Sequence, residues 1–252
     1  MPFLGWASLN LFDRNMNNWF QFKEFKIIQE QSAMKVGTDG VLLGAWANTG
    51  NVNSILDAGT GTGLIAIMMA QRTDATITGI DIEAKAATEA SANASNSPWG
   101  NRINIINISL QELAKQHQNK FDLVISNPPF FTNSKKPLSN SLAIAKHNHL
   151  LTYPDLLNCS ARLLSSTGRL ALIIPADAVS IVKNHASNEG LFLHREAEVK
   201  PNSIKKTHRA ILEFGRSEPH SIEKDIIMIH KDDGSDFTEK YKEMTRAFYL
   251  HF

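Results

Sequence analysis

From residue 53 onward the apolar positions of this chain switch repeatedly between two rhythms. Continuous or alternating apolar runs predict strands at Asn53–Ala58, Thr76–Asp81, Ile103–Ser109, Phe121–Ser126, Arg169–Pro175 and Leu191–Val199. Helical spacing predicts helices between them, at Leu64–Arg72, Ala84–Ser95, Gln111–Gln118, Pro154–Leu164 and Asp177–Asn188. Upstream, TDGVLLGAWA (Thr38–Ala47) reads as a helix with Thr38 or Asp39 near its N-cap. Before it, WFQFKEFKIIQE (residues 19–30) alternates well enough for a short hairpin or strand. Strands alternating with helices give a mostly parallel sheet covered on both faces. The rhythm then changes: Lys206–Arg216 and Glu223–His230 are strand patterns with no helix between them, followed by a helical Glu239–Leu250. Two such strands predict an antiparallel sheet edge. Residues 1–30 are expected to form an extension and hairpin, and residues 31–252 one domain.

Composition narrows this only a little. A chain of 252 residues with 42% hydrophobic content can build one substantial core. Its net charge of +1 creates no global field, so any basic surface is local. The single cysteine, Cys159, excludes a disulfide framework and a Cys-rich zinc site. It lies in the helical pattern LLNCSARLL, which suits a buried thiol better than a nucleophile. His147 and His149 have no partner pattern, so no metal is expected. No stretch has the length of a membrane span. The start, MPFLGWASLNLFDRN, lacks a basic leader and is interrupted by Asn10, Asp13 and Arg14, which makes a poor secretory signal. A reducing cytoplasm is the expected location, and Met16 offers an alternative start.

The first candidate chemistry follows the first core strand, in SILDAGTGTGLIAIMMA. Gly59, Gly61 and Gly63 alternate in a turn that runs directly into a helix, where missing side chains let a ligand approach the backbone. Leu64 stands where a dinucleotide fingerprint needs a third small residue, and no Gly-Lys-Ser/Thr follows for a P-loop. The second strand ends in Asp81, eighteen residues past Gly63, where a carboxylate can accept ribose hydroxyls. Glu83 competes for that role.

The second lies in ISNPPFFTNSKK, where an apolar strand stops at Asn127 and two prolines and two phenylalanines follow. Proline ends the strand because it cannot donate to the ladder. In an open α/β sheet the residue past a strand end faces the ligand crevice. Asn127 and the Pro128 carbonyl are two acceptors there, and Phe130 is an aromatic face. Phe131 serves core packing or substrate contact equally well.

The pattern Asp57-x-Gly-x-Gly-x-Gly with Asp81 resembles the first motifs of class I S-adenosylmethionine-dependent methyltransferases, and Asn127-Pro128-Pro129-Phe130 resembles the motif of those acting on amino groups. Together with SAMKVGTDGVLLGAW (Ser32–Trp46), SPW (Ser97–Trp99) and the closing RAFYL, the chain resembles a bacterial family over nearly its whole length. These are the tRNA methyltransferases that modify N6 of adenine-37, beside the anticodon of a valine tRNA. The resemblance implies an α/β, Rossmann-like fold whose mostly parallel sheet has seven strands and an antiparallel edge. It implies S-adenosylmethionine as cofactor, held by Asp57, Gly59, Thr60, Gly61, Gly63, Asp81, Ile82 and Asn127. Lys35, Thr38 and Asp39 are implied over its methionine end, although Thr38 or Asp39 could equally be a helix cap. Ser109 stands where the family often has an adenine-binding Asp.

Phosphate contacts with the tRNA are sought in two basic clusters: Lys135, Lys136 and Lys146 after Phe131, and Lys205, Lys206, His208 and Arg209 before a late strand. No obligate protein partner is implied, and a monomer is expected. Three other readings stay open: an rRNA guanine-N2 methyltransferase, a protein glutamine methyltransferase, and a non-catalytic RNA-binding module.

Overall fold

The computed structural model of the chain describes residues 18–116, 120–129 and 151–252. A two-stranded hairpin comes first, β1 (Trp19–Gln21) with β2 (Lys26–Ile28), and then α1 (Thr38–Trp46). The alternating part follows as β3 (Ser54–Ala58), α2 (Leu64–Arg72), β4 (Thr76–Asp81), α3 (Ala84–Ser95), β5 (Ile103–Asn107), α4 (Leu110–Gln116) and β6 (Phe121–Ser126). After residues 130–150 come α5 (Tyr153–Leu163), β7 (Leu164–Pro175), α6 (Val179–Asn188), β8 (Phe192–Lys200), β9 (Arg209–Gly215), β10 (Glu223–Met228) and α7 (Glu239–Thr245).

Among the described residues the main sheet has the order β10-β8-β9-β7-β6-β3-β4-β5, eight strands where seven were expected. Only β9 runs against the others, antiparallel to both β7 and β8. The expected antiparallel edge is therefore internal, and the edge strand β10 pairs parallel to β8. Burial explains the exchange. Six of the seven β9 residues are buried, so this strand needs cover on both faces and a neighbour on each side. β10 buries only Ile227 and tolerates an edge.

Period-two alternation splits the core between two faces. Leu56, Val124, Leu170, Leu172 and Leu212 pack under α4, α5 and α6, while Ile55, Leu123, Ile125, Ala171 and Ile211 pack under α1, α2 and α7. Cys159 is free and buried on the first of these faces, and burial pushes its thiol pKa up. A third cluster joins the hairpin to the C-terminus: Phe22, Phe25 and Ile27 meet Val41, Ile67, Met68 and Phe248. This is why α7 stops at Thr245, short of the expected Leu250. Phe248 turns inward, and the Phe248 and Tyr249 amides donate to the Thr245 carbonyl.

Candidate active site

The chain connections of the sheet reverse direction between β3 and β6, and such a switch point opens a crevice at the carboxyl ends of the strands. Asp57 on β3 pairs with Ile125 on β6. Two residues further along each chain lie Gly59 and Asn127. Ser126 stitches the two strand ends together by donating to the Ala58 carbonyl at 2.6 Å.

The glycine loop is built from β3 outward. Gly59 and Thr60 both donate to the Ile80 carbonyl of β4, at 2.9 and 2.8 Å. Gly59, Gly61 and Gly63 have φ of 78°, 55° and 82°, a region that L side chains rarely enter. A Cβ on Gly59 or Gly61 would meet nothing within 4 Å, so the bare backbone faces open space; on Gly63 it would press on Ala90 of α3 at 3.3 Å. Asp57 is fully buried behind this loop. Its Oδ2 accepts from the Thr60 hydroxyl at 2.6 Å and from the Ala66 amide at 3.0 Å, while Oδ1 is buried without a hydrogen-bond partner among the described residues. Burial pushes its carboxyl up to about 7, against the pull of those two bonds and with help from the Asp81 charge.

Asp81 closes the loop from the other side, accepting from the Gly61 amide at 2.9 Å with one oxygen and from the Glu83 amide at 2.9 Å with the other. Its remaining lone pairs are open to a ligand. Ile82 follows with its side chain 43% exposed, a free apolar face beside the carboxylate. β5 ends at Asn107, two residues earlier than expected, because the Ser109 hydroxyl accepts from the Glu112 amide at 3.1 Å and starts α4. Asn107 was not among the expected site residues. Its amide nitrogen donates to the carbonyls of Asp81 and Ile82 at 2.9 and 3.0 Å, which fixes the turn that carries both.

Beside this cradle lies Asn127. Its Oδ1 is buried and has no partner among the described residues, and Nδ2 lies 4.0 Å from the Met34 sulfur. Pro128 next to it is buried and Pro129 exposed. Phe130, Phe131, Lys135, Lys136 and Lys146 lie outside the described residues.

The segment MKVGTDG reaches the same region with different bonding from that expected. The cap of α1 is Gly37, with no side-chain hydrogen bond, so neither Thr38 nor Asp39 caps it. The Lys35 ammonium donates to the Gln29 carbonyl. Asp39 receives the Arg209 Nε at 2.8 Å, an ion pair that ties the first turn of α1 to the start of β9. Arg209 is thereby engaged within the protein, whereas Lys205 and Lys206 are exposed in the β8–β9 connection. That connection lies at the same sheet edge as Asn127, because Arg209 pairs with Pro175 at the carboxyl end of β7.

These residues fit the expected cofactor. A bare glycine backbone beside an exposed apolar face, a carboxylate with open lone pairs and a buried carboxyl oxygen unpartnered among the described residues answer an adenosine and an amino acid end to end.

The comparisons agree with this geometry. Residues 32–178 match the methyltransferase small domain. A tRNA1(Val) (adenine(37)-N6)-methyltransferase from Trichodesmium erythraeum is 37% identical over 238 residues, covering 93% of this chain and 99% of the relative. One from Bacteroides thetaiotaomicron is 40% identical over 239 residues, covering 93% and 98%. Among solved structures, an Agrobacterium tumefaciens protein described as a predicted O-methyltransferase superposes with a TM-score of 0.68 at 17% identity, covering 83% of this chain and 96% of that one. A T. thermophilus 16S rRNA N2 methyltransferase solved with AdoMet and guanosine gives 0.54 at 15%, covering 80% and 52%.

Proposed function

Because the chain belongs to the methyltransferase small-domain family and, within it, to the tRNA1(Val) (adenine(37)-N6)-methyltransferases, we propose that it methylates the exocyclic N6 amine of adenine-37 in a valine tRNA. The observation that carries the chemistry is the buried Oδ1 of Asn127 at the switch point of the sheet, which has no hydrogen-bond partner among the described residues. An orphaned buried acceptor costs about 1–3 kcal/mol, and that cost is recovered when a donor arrives.

An adenine amine is a suitable donor and a poor nucleophile, since its lone pair is delocalised into the ring. The Asn127 oxygen and the Pro128 carbonyl accept its two hydrogens and turn the nitrogen lone pair out of conjugation. Positive charge grows on the nitrogen as it is methylated, and the same two acceptors stabilise that charge until a proton passes to water. The Phe130 ring is the platform for the flipped base.

S-adenosylmethionine would supply the electrophilic methyl group, its S–CH₃ bond breaking as the N–CH₃ bond forms and S-adenosylhomocysteine leaving. Gly59, Thr60, Gly61 and Gly63 give it a bare backbone surface, Asp81 accepts from the ribose, and Ile82 covers one face of the adenine. Ser109 keeps a second lone pair to accept the adenine amino group while capping α4. Asp57 and Thr38 flank the methionine end, with Lys35, whose ammonium has two further hydrogens beyond the one given to Gln29. Lys205 and Lys206, with Lys135 and Lys136, answer the tRNA phosphates. A tRNA substrate places the enzyme in the cytoplasm.

The test is incubation of the purified protein with labelled S-adenosylmethionine and, separately, tRNA, rRNA and a glutamine-bearing protein, followed by nucleoside mass spectrometry. N6-methyladenosine in tRNA alone is the expected result. N2-methylguanosine in rRNA, label in the protein, or no transfer at all would overturn the reading.

A further inference from the structure

The segment between β2 and α1 forms a strap that is bonded at both ends. Gln29 closes it on itself: its Oε1 accepts the Val36 amide at 2.8 Å, and its carbonyl takes the Lys35 ammonium. Two side chains of α3 hold it down. Glu89 accepts three consecutive backbone amides, from Glu30 at 2.5 Å, Gln31 at 2.7 Å and Ser32 at 3.0 Å. Burial alone would raise the Glu89 pKa, yet these bonds outweigh it and hold the group below its ordinary value. Four residues along the helix, Asn93 accepts the Ile28 amide at 2.9 Å and donates to the carbonyls of Ile28 and Thr62, at 2.8 and 2.9 Å. The glycine loop and the strap are thus fixed to one face of one helix.

What the strap carries to the site is Met34. Its side chain is 43% exposed, and its sulfur is the one hydrogen-bond partner of the Asn127 amide nitrogen among the described residues. A thioether is an acceptor only, and a weak one. It can therefore receive the NH₂ end of an amide but has nothing to offer the oxygen. An Asn side chain turned over by 180° would put its oxygen against the sulfur and its NH₂ toward the substrate amine, where two donors would face each other.

Resting on the methyl-transfer reading above, we propose that Met34 is a positioning residue for catalysis: held by the strap that Glu89 pins to α3, its sulfur keeps the Asn127 amide turned so that the oxygen faces the incoming amine. Glu89 acts through Met34, and neither side chain touches the reacting atoms.

The experiment combines a double-mutant cycle with a measurement on the protein alone. Met34→Leu keeps the apolar bulk and removes the acceptor. It should lower the single-turnover methylation rate about two- to fivefold, the range for losing one weak hydrogen bond, with the KM for tRNA and for S-adenosylmethionine unchanged. In an Asn127→Asp background the same change should have no further effect, because a carboxylate has two equivalent oxygens and no orientation to hold. Equal losses in both backgrounds, or a wild-type rate for Met34→Leu, would overturn the proposal. For the second readout, methyl-labelled methionine gives seven resonances, and the one that disappears in Met34→Leu is Met34. It should move in Asn127→Asp and in Glu89→Gln, without cofactor or RNA present. A resonance unmoved in both would sink the positioning role even if the enzyme is active. A protein that shows both shifts but methylates no tRNA would instead refute the function it was assigned.

Discussion

On the proposed mechanism, replacing Asn127 by alanine removes a side-chain acceptor for the amine. By analogy with losing a single oxyanion-hole donor, turnover should fall about 10²–10³-fold while cofactor affinity stays nearly constant. Asn127→Asp keeps an acceptor and should retain more activity than alanine; single-turnover assays with thermal melts measure both. Asp81→Ala should weaken S-adenosylmethionine binding by about 1.5–3 kcal/mol in calorimetry, the range for hydrogen bonds to a charged group. The same change releases the Gly61 and Glu83 amides, so a lower melting temperature should accompany it. Asp57 makes a prediction about pH. Its folded pKa of about 7 lies above its ordinary 3.8, so between these values the native protein holds a proton that the unfolded chain has lost. That contribution to stability therefore falls as pH rises through the window and is least above pH 7. Asp57→Asn never ionises there. Its stability relative to wild type, from urea unfolding without cofactor, should increase between pH 4 and pH 8. An unchanging difference would mean that the buried carboxyl does not titrate near 7.

Among the elements, the β8–β9 connection carries the exposed cations proposed to meet the tRNA. Asp232 fixes it by accepting the Ser203 amide and hydroxyl, at 2.9 and 2.6 Å, and the Asn202 side chain accepts the Lys205 amide at 3.0 Å. Ile204 at its tip is 79% exposed, and Lys205 and Lys206 follow it. A loop fixed in this way presents its cations at little entropic cost. Changing Lys205 and Lys206 together to Gln should weaken tRNA binding. The slope of log K against log salt should shrink by roughly 0.7–0.9 for each phosphate that is no longer neutralised. Cofactor affinity should not move. An unaltered salt slope in filter-binding assays would show that the RNA lies elsewhere.

Over the whole molecule, the two ends of the described chain hold each other. The Lys23 amide donates to the Phe248 carbonyl at 2.8 Å, and its ammonium donates to the carbonyls of Arg246 and Phe252 at 2.7 and 2.8 Å. Phe22 stacks on Phe25 with centroids 4.6 Å apart and on Tyr249 at 5.9 Å. Phe248 is 2% exposed in the same cluster. Phe248→Ala should therefore cost about 3–5 kcal/mol of stability, the range for truncating a buried aromatic. Urea unfolding would register it as a lower midpoint, with S-adenosylmethionine affinity preserved in the folded fraction. Loss of cofactor binding at full stability would contradict this separation of core from site.

Sequence alone determined whatever depends on neighbours along the chain. The switching period of apolar residues marked the strands and helices of the parallel part. The glycines at 59, 61 and 63, with Asp57 before them and Asp81 after, marked the loop, because positive φ and strand-end position are local demands. Asn127 was legible for the same reason, since the prolines that stop β6 also hold the residue before them at its end. Tertiary structure decided the rest, because it brings together residues remote in sequence. Nothing in the run Ser32–Trp46 shows that Met34 lies against Asn127, or that Asp39 and Arg209 form an ion pair. Glu89 and Asn93 were missed: their one sequence sign is that they are polar residues within an alanine-rich helix, and their partners in the hairpin and strap lie about sixty residues upstream. The place of β9 was hidden as well: its apolar pattern demands two neighbours, and only the assembled sheet shows that they are β7 and β8.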